Sequence, residues 1–266
     1  MRRWLKATYR RLFARKWLYP FHLWLHRVAL AGMGILNYED FAASGEDHFL
    51  ANELERRVRP VEVVVDVGAH EGAYSSRARS LWPTARILSF EPNPRTFERL
   101  VRRAELDGFV AINQGCSNRE GMVELFDLAG QEGSSHASVY REVVEHSHGS
   151  GITAVAASVT SLDAFASREG LERIDLLKID AEGHELHVLL GAKRLIAEGR
   201  INAIHFEFNE MNAFSGVHFR DFFELLRDFE LYRLLPAGMV ELAAYRPVEL
   251  EIFAFQNIVA FRRVAA

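Results

Sequence analysis

The sequence predicts an open α/β fold on a mostly parallel sheet. From residue 61 onward, short β-branched runs alternate with apolar residues at helical spacing. Two of those runs end in an acid followed by a tight turn, where such sheets bind ligands. The single cysteine, Cys116, leaves no internal disulfide framework to replace a core and fits a reducing, cytoplasmic setting.

The chain opens on a basic head. Of its 32 Lys and Arg, eight (Arg2, Arg3, Lys6, Arg10, Arg11, Arg15, Lys16 and Arg27) precede the first acid, Glu39, although the whole chain has formal net charge −4. The body is therefore acidic, which argues against nucleic-acid binding by it. Aromatics interleave the bases: Trp4, Tyr9, Phe13, Trp17, Tyr19, Phe21 and Trp24. Leu5, Tyr9, Leu12 and Phe13 share one helical face, and Pro20 ends or kinks a helix begun before it. Such a helix either packs on its own domain or, through residues 1–30, rests on an anionic membrane surface at the inner face. It is no secretory signal, and residues 17–36 are too interrupted by Pro20, His22, His26 and Arg27 to span a bilayer. Residues 1–58 are thus read as a helical extension and 59–266 as the α/β domain.

Residues 61–66 (VEVVVD) form the first strand; Gly68 and Gly72 make a turn, and 74–81 a helix. Residues 86–91 (RILSFE) are a second strand, 95–105 a helix and 110–113 a third strand. Between 122 and 159 the alternation lapses into two short strands around a Gly/Ser/His-rich loop; its GSSH stretch, 133–136, suits a lid. Residues 174–180 (IDLLKID) are another buried strand, 185–197 a helix, 201–208 a strand and 219–228 a helix. Strands at 231–235 and 257–262 complete the sheet.

The turn after the first strand reads Asp66-Val-Gly68-Ala-His70-Glu71-Gly72. Glycines let the backbone turn sharply and approach a ligand. Their spacing is not that of the dinucleotide fingerprint, and the acid two residues before Gly68 would repel a pyrophosphate while tolerating an amine-bearing cofactor. Glu91 closes the next strand, where a carboxylate can accept both hydroxyls of a ribose. The pair of acids points to an adenosyl ligand. Tyr74 and Ser75 follow the turn and could reach the cofactor's carboxylate end, helix packing being the alternative.

VVVDVGAHEGAYS, SFEPNP, residues 113–118 and IDLLKIDAEGHELHVLLGA resemble the FkbM family of S-adenosylmethionine-dependent methyltransferases, over roughly residues 60–262. The resemblance implies a class I, Rossmann-like methyltransferase fold: seven strands, mostly parallel with an antiparallel last strand. It implies methyl transfer to a hydroxyl of a glycan or secondary metabolite. Its cofactor motifs map onto Asp66, Gly68, Gly72 and Glu91, and His70, Tyr74, Ser75, Asn93 and Ser117 are the further candidates for binding S-adenosylmethionine. A hydroxyl must lose its proton as the new bond forms, so a base or a metal is needed. Asp180, Glu182 and His184 end the fourth strand and Glu207 the fifth. The three acids could hold Mg²⁺, or one could act as base oriented by His184. Glu185 reads as a helix N-terminal acid, His205 as a hydrogen-bonded strand residue, His146 and His148 as solvated, and Cys116 as structural. Buried Lys178 requires a carboxylate partner. A nicotinamide-dependent oxidoreductase and a non-catalytic membrane-binding module are the alternative readings.

Overall fold

Runs of two to nine residues pair into two sheets in a computed structural model that describes residues 2–128, 137–148 and 151–263. In chain order the strands are β1 (Val63–Val67), β2 (Arg86–Phe90), β3 (Val110–Ile112), β4 (Gly115–Cys116), β5 (Gly121–Leu128), β6 (Ile152–Thr160), β7 (Ile174–Ile179), β8 (Ile201–Phe208), β9 (Phe229–Leu235), β10 (Gly238–Glu241) and β11 (Gln256–Arg262). The main sheet runs β10-β9-β11-β8-β7-β1-β2-β3. Its β3-β2-β1-β7-β8 half is parallel, and β11 lies antiparallel between β8 and β9. This is the expected sheet with its antiparallel last strand, and with eight strands in place of seven. The extra strand is β10, which folds back on β9 as a hairpin and adds to the edge. The strands expected around 122–159 pair with each other and with β4, so they form a small separate sheet, β4-β6-β5.

Two apolar layers cover the main sheet. The helices Leu162–Arg168, Glu185–Leu190, Lys193–Ala197 and Phe219–Leu225 pack Phe165, Leu189, Leu195 and Phe222 against one face. The expected single helix over 185–197 is two, because the backbone at Gly191 runs against Ser117; a Cβ there would sit 2.0 Å from the Ser117 carbonyl oxygen. On the other face, the helices Ala73–Leu81 and Pro94–Asp107 are joined by Phe49, Leu50 and Leu54 from the N-terminal segment, all fully buried. Residues 49–58 therefore share the packing of the sheet.

A polar row crosses that second face. Register places Ser89, Asp66, Lys178 and His205 side by side on β2, β1, β7 and β8. All four are buried. Uncompensated polar groups at such depth cost several kcal/mol, so the row needs mutual partners, and it sits one step beneath the strand ends.

The head behaves differently. The helices Arg2–Phe13 and Tyr19–Gly32 flank a 3₁₀ turn at Lys16–Leu18, and Pro20 begins the second helix, where its missing N–H costs nothing. Tyr9 contacts Phe13 and His22, with ring centroids 5.1 and 5.8 Å away. Trp4, Leu12, Trp17, Phe21 and Trp24 stay exposed, Trp17 at 77%, and Leu30 alone of the second helix is buried. The alternative in which the head aromatics fill a groove of the domain is thus corrected. Ile35 then bridges to Gln256 and ties the chain to the sheet.

These burial differences set an expectation for stability. Phe49→Ala should cost about 3–5 kcal/mol in denaturant unfolding, while deletion of residues 2–32 should leave the midpoint nearly unmoved. A large loss on that deletion would contradict this division of the core.

Candidate active site

The site is built where β1 and β7 end. Gly68 has φ +79°, and a Cβ on it would fall 1.7 Å from the Asp180 carbonyl oxygen, so only glycine lets the two strand ends meet. The amides of Gly68 and Ala69 both donate to the Phe90 carbonyl, at 3.0 and 2.9 Å, which straps the turn to β2. His70 N then donates to Glu91 Oε2 (3.0 Å) and Asn93 N to Glu91 Oε1 (2.8 Å). Each Glu91 oxygen keeps a lone pair for a ligand hydroxyl. Burial pushes the Glu91 carboxyl up to about 7, against the pull of those two amides.

Two cavities open from this junction, and both are lined by Gly68, His70 and Asp180. The first, of ≈ 230 Å³, lies between Glu91, the small sheet at Cys116 and Val159, and the turn Asp180–His184. Cys116, expected to be structural, lines it; burial pushes its thiol up, so it presents a neutral, apolar surface. Buried His70 Nε2 has no hydrogen-bond partner in the described structure, which is the signature of an atom awaiting a ligand. An adenosyl group fits this first cavity: apolar walls, a carboxylate at the ribose position and an orphaned ring nitrogen.

The second cavity, of ≈ 350 Å³, is walled by Glu46, Asp66, Tyr74, Lys178 and Glu207, with Tyr38, Phe41 and Phe255 from the N- and C-terminal segments. Lys178 finds its expected carboxylate partners: its Nζ lies 3.5 Å from Asp180 Oδ2 and 3.9 Å from Glu207 Oε1. Burial alone would lower its pKa, but Asp180, Glu207, Glu46 and Asp66 together raise it, so it stays an ammonium. Asp66 accepts from Ser75 Oγ at 2.5 Å, and burial still lifts it to about 6. Burial, then the nearby Asp180, raises both Glu182 and Glu207 well above the ordinary range.

Several expected site residues stand behind the walls. Ser75 is fully buried, holding Asp66 and Ser89 in place, and does not reach a ligand. Gly72 (φ +84°) packs against Phe109 and Leu100 as the start of the Ala73–Leu81 helix. Asn93 caps the Pro94–Asp107 helix and orients Glu91. Tyr74 lines the second cavity, with its hydroxyl 3.0 Å from His205 Nδ1. His205 also pairs through Nε2 with Asn257 Oδ1 (2.9 Å) and is a strand histidine as expected. Glu185 accepts from the amides of Ala181 and Gly183, so it shapes the turn. The 133–136 stretch and the side chains of His146 and His148 lie outside the described residues.

His184 belongs to a network that no motif announced. Its Nε2 is 2.9 Å from Ser117 Oγ and its Nδ1 3.2 Å from the Tyr140 hydroxyl, and its ring stacks on His187 at 4.5 Å. Burial, then His187, lowers its pKa to about 3, so the ring is neutral. Ser138 Oγ donates to the Glu182 carbonyl (2.8 Å), fastening this same segment over the first cavity. Tyr140 and Ser138 sit in a polar stretch without periodicity, where only tertiary structure reveals a role.

The Asp180, Glu182 and Glu207 carboxylates do not fit Mg²⁺. Among the described residues no three acidic, His or Cys side chains are disposed to hold a metal. The Lys178 ammonium beside two of the acids already supplies the positive charge a divalent ion would bring.

Residues 66–233 match the model of the methyltransferase FkbM domain, more than half of the chain. The chain belongs to the FkbM methyltransferase family. It is an S-adenosylmethionine-dependent methyltransferase, and the nicotinamide reading is set aside. Among its relatives is the 2-O-methyltransferase NoeI of Sinorhizobium fredii, 28% identical over 68% of this chain and 77% of that protein. The methyltransferase sdnD of Sordaria araneosa is 31% identical over 48% of this chain and 59% of its own length. The hexuronic acid methyltransferase AglP of Haloferax volcanii is 26% identical over 64% of this chain and 63% of its own. Of solved structures, the methyltransferase FkbM from Methylobacillus flagellatus aligns with TM-score 0.46 and 13% identity, over 88% of this chain and 57% of that one.

The raised acids of this methyltransferase set a pH dependence. Between pH 4.5 and about 7 the folded protein keeps the Glu91 proton that the unfolded chain has lost, so stability falls as pH rises through that window. Asp66 acts likewise between 3.8 and about 6. The unfolding midpoint of the ligand-free protein should therefore drop across this range, and Glu91→Gln should flatten its upper part. An unchanged slope in that variant would contradict the assignment.

Proposed function

We propose that this FkbM methyltransferase moves a methyl group from S-adenosylmethionine to a hydroxyl of a sugar or a secondary metabolite. The observation that carries this reading is Asp180, among the described residues the one carboxylate lining both cavities. The hydroxyl acceptor is suggested by the activity of one relative, a 2-O-methyltransferase, and the sugar by that of another, a hexuronic acid methyltransferase.

In this reading Glu91 receives the ribose hydroxyls, His70 Nε2 completes the contact, and the Gly68 backbone gives the ligand a close approach. When bound, the cofactor supplies a methyl group on a positively charged sulfur. The Asp180 carboxylate on the wall of the first cavity favours that charge. Asp180 takes the acceptor proton, and Glu182, whose carboxyl is held by burial well above the ordinary range, stands on the same turn of the cavity wall. Neutral His184, fixed by Ser117 and Tyr140, holds the turn that presents both acids.

The reading extends to the head. Its exposed aromatics and eight bases suit an anionic membrane surface, with the catalytic unit, from about residue 34 onward, held at that face. Among the described residues no helix is long and apolar enough to cross a membrane.

Two measurements test this. Calorimetric titration should show S-adenosylhomocysteine binding that Glu91→Ala abolishes. Asp180→Asn should keep that binding and lose transfer by about 10²–10⁴-fold; full transfer in that variant would remove Asp180 from its role. In sedimentation with vesicles, the protein should follow phosphatidylglycerol-containing but not pure phosphatidylcholine membranes, and deletion of residues 2–32 should end this. Equal behaviour on both membranes would overturn the membrane contact.

A further inference from the structure

A third cavity, of ≈ 690 Å³, opens at the other edge of the main sheet, where β7 and β8 begin and β11 ends. It shares no lining residue with the two cavities of the active site. Five arginines line it (Arg57, Arg59, Arg173, Arg262 and Arg263) against two acids, Asp175 and Glu230. In a chain whose body is acidic, that balance is local and reversed. Both acids are already engaged. Asp175 is fully buried; its Oδ2 accepts from the amides of Glu62 and Val63 at 2.8 and 2.9 Å, and its Oδ1 from Asn202 Nδ2 at 2.9 Å. That same Oδ1 lies 3.1 Å from Arg173 Nε. Glu230 Oε2 accepts from the Tyr232 hydroxyl at 3.0 Å and stands 3.5 Å from Arg57 Nη1. Glu62 and Glu55 pair with Arg173 and Arg59. Among the described residues Arg262 and Arg263 have no carboxylate partner.

Two of these guanidiniums are held in place by groups that leave their charge unmet or nearly so. Arg57 lies against the rings of Tyr232 and Phe261, 4.7 Å from each centroid, and donates to the Tyr232 hydroxyl at 3.2 Å. Arg262 donates through Nη1 to the Ile196 carbonyl at 2.8 Å and lies 5.8 Å from the Phe229 ring centroid. It also rests on the bare backbone of Gly199, where a Cβ would come within 3.0 Å of the guanidinium carbon. A planar fork of N–H donors whose orientation is fixed before a ligand arrives loses little freedom on binding one. Such forks match the oxygens of a phosphoryl group, which carries up to two negative charges where a carboxylate carries one.

We propose that this cavity is a second ligand site, which binds the phosphoryl groups of a soluble small molecule through Arg262, Arg263 and Arg57. Its volume is in the range of small-molecule sites and exceeds what a single phosphate fills. The position of the head argues for a soluble source over a lipid headgroup. β11 starts at Gln256, which bridges to Ile35 at the root of the head, and ends at Arg262. Seven residues of strand at about 3.3 Å each put the cavity roughly 20 Å from that root, at the opposite edge of the sheet. A bilayer met by the head therefore lies away from these arginines.

Calorimetric titration of the full-length protein with pyrophosphate, at low ionic strength, tests this. The wild type should show one saturable site for pyrophosphate and none for succinate. Arg262→Gln should weaken pyrophosphate binding by at least about tenfold, as loss of a charge-assisted bond does, and leave S-adenosylhomocysteine binding unchanged. Gly199→Ala keeps every charge but presses on the Arg262 guanidinium, so it should weaken pyrophosphate as well. Arg246→Gln, which removes an exposed arginine paired with Glu249 outside this cavity, should not. If Arg262→Gln fails to fold, the exposed Arg263 takes its place as Arg263→Gln. A wild type that does not bind pyrophosphate, or binds succinate as well, would overturn the proposal. Unweakened binding in Arg262→Gln would do so too, as would equal weakening by Arg246→Gln, which would mean diffuse attraction to charge. In sedimentation, adding a phosphatidylinositol monophosphate to phosphatidylglycerol vesicles should not increase recovery of the protein. An increase that Arg262→Gln abolishes would give the site to a lipid headgroup and overturn the soluble source.

Discussion

One ammonium buried in a sheet sets the terms for the whole active site. Lys178 lies in register between Asp66 and His205, beneath strand ends that carry Asp180 and Glu207. A charge taken that far from water is tolerated only with close opposite charges, so the acids of β1, β7 and β8 are as much its counter-charges as they are candidate catalysts. The dependence runs both ways: without Lys178, the same acids would repel one another in a low-dielectric crevice. Tyr74, Ser75 and Glu46 belong to this arrangement because they cover the row and satisfy what Lys178 does not.

The second constraint is steric. Gly68 allows β1 and β7 to close at Asp180, and that closure divides the space above the sheet into two chambers sharing one carboxylate. The apolar chamber beside Glu91 and Cys116 suits a nucleoside, and the charged chamber beside Lys178 opens from the same junction. A methyl donor fixed at that junction brings its reacting group beside Asp180, where alignment can supply much of the rate. The same segment that leads out of the head supplies Tyr38, Phe41 and Glu46 to the second chamber. Whatever the head rests on is thereby placed beside that chamber.

Much of this was legible in the sequence because strand ends announce themselves. VEVVVD and RILSFE each finish in an acid, and IDLLKID carries its lysine in an apolar run, so the sheet, the Asp66–Glu91 pair and the need for a Lys178 partner could be read from spacing alone. What could not be read depended on contacts between distant segments. Ser75 and Gly72 follow the glycine turn as ligand-contacting residues would, but their surroundings turn them into supports for Asp66 and for the neighbouring helix. Cys116 stands outside any motif and becomes a cavity wall only when β4 pairs with β6. Tyr140 reaches His184 across 44 residues of chain. The three acids suggested a metal because the sequence, which showed Lys178 in need of a partner, did not show that two of those acids are its partners.

The central claim is that the strand-end junction holds the cofactor with its ribose on Glu91 and its reacting group beside Asp180. A crystal structure of the full chain with S-adenosylhomocysteine tests it most directly. The account predicts the ribose hydroxyls on Glu91 in the first chamber and the sulfur facing Asp180. A ribose bound away from Glu91, or a sulfur remote from Asp180, would contradict it.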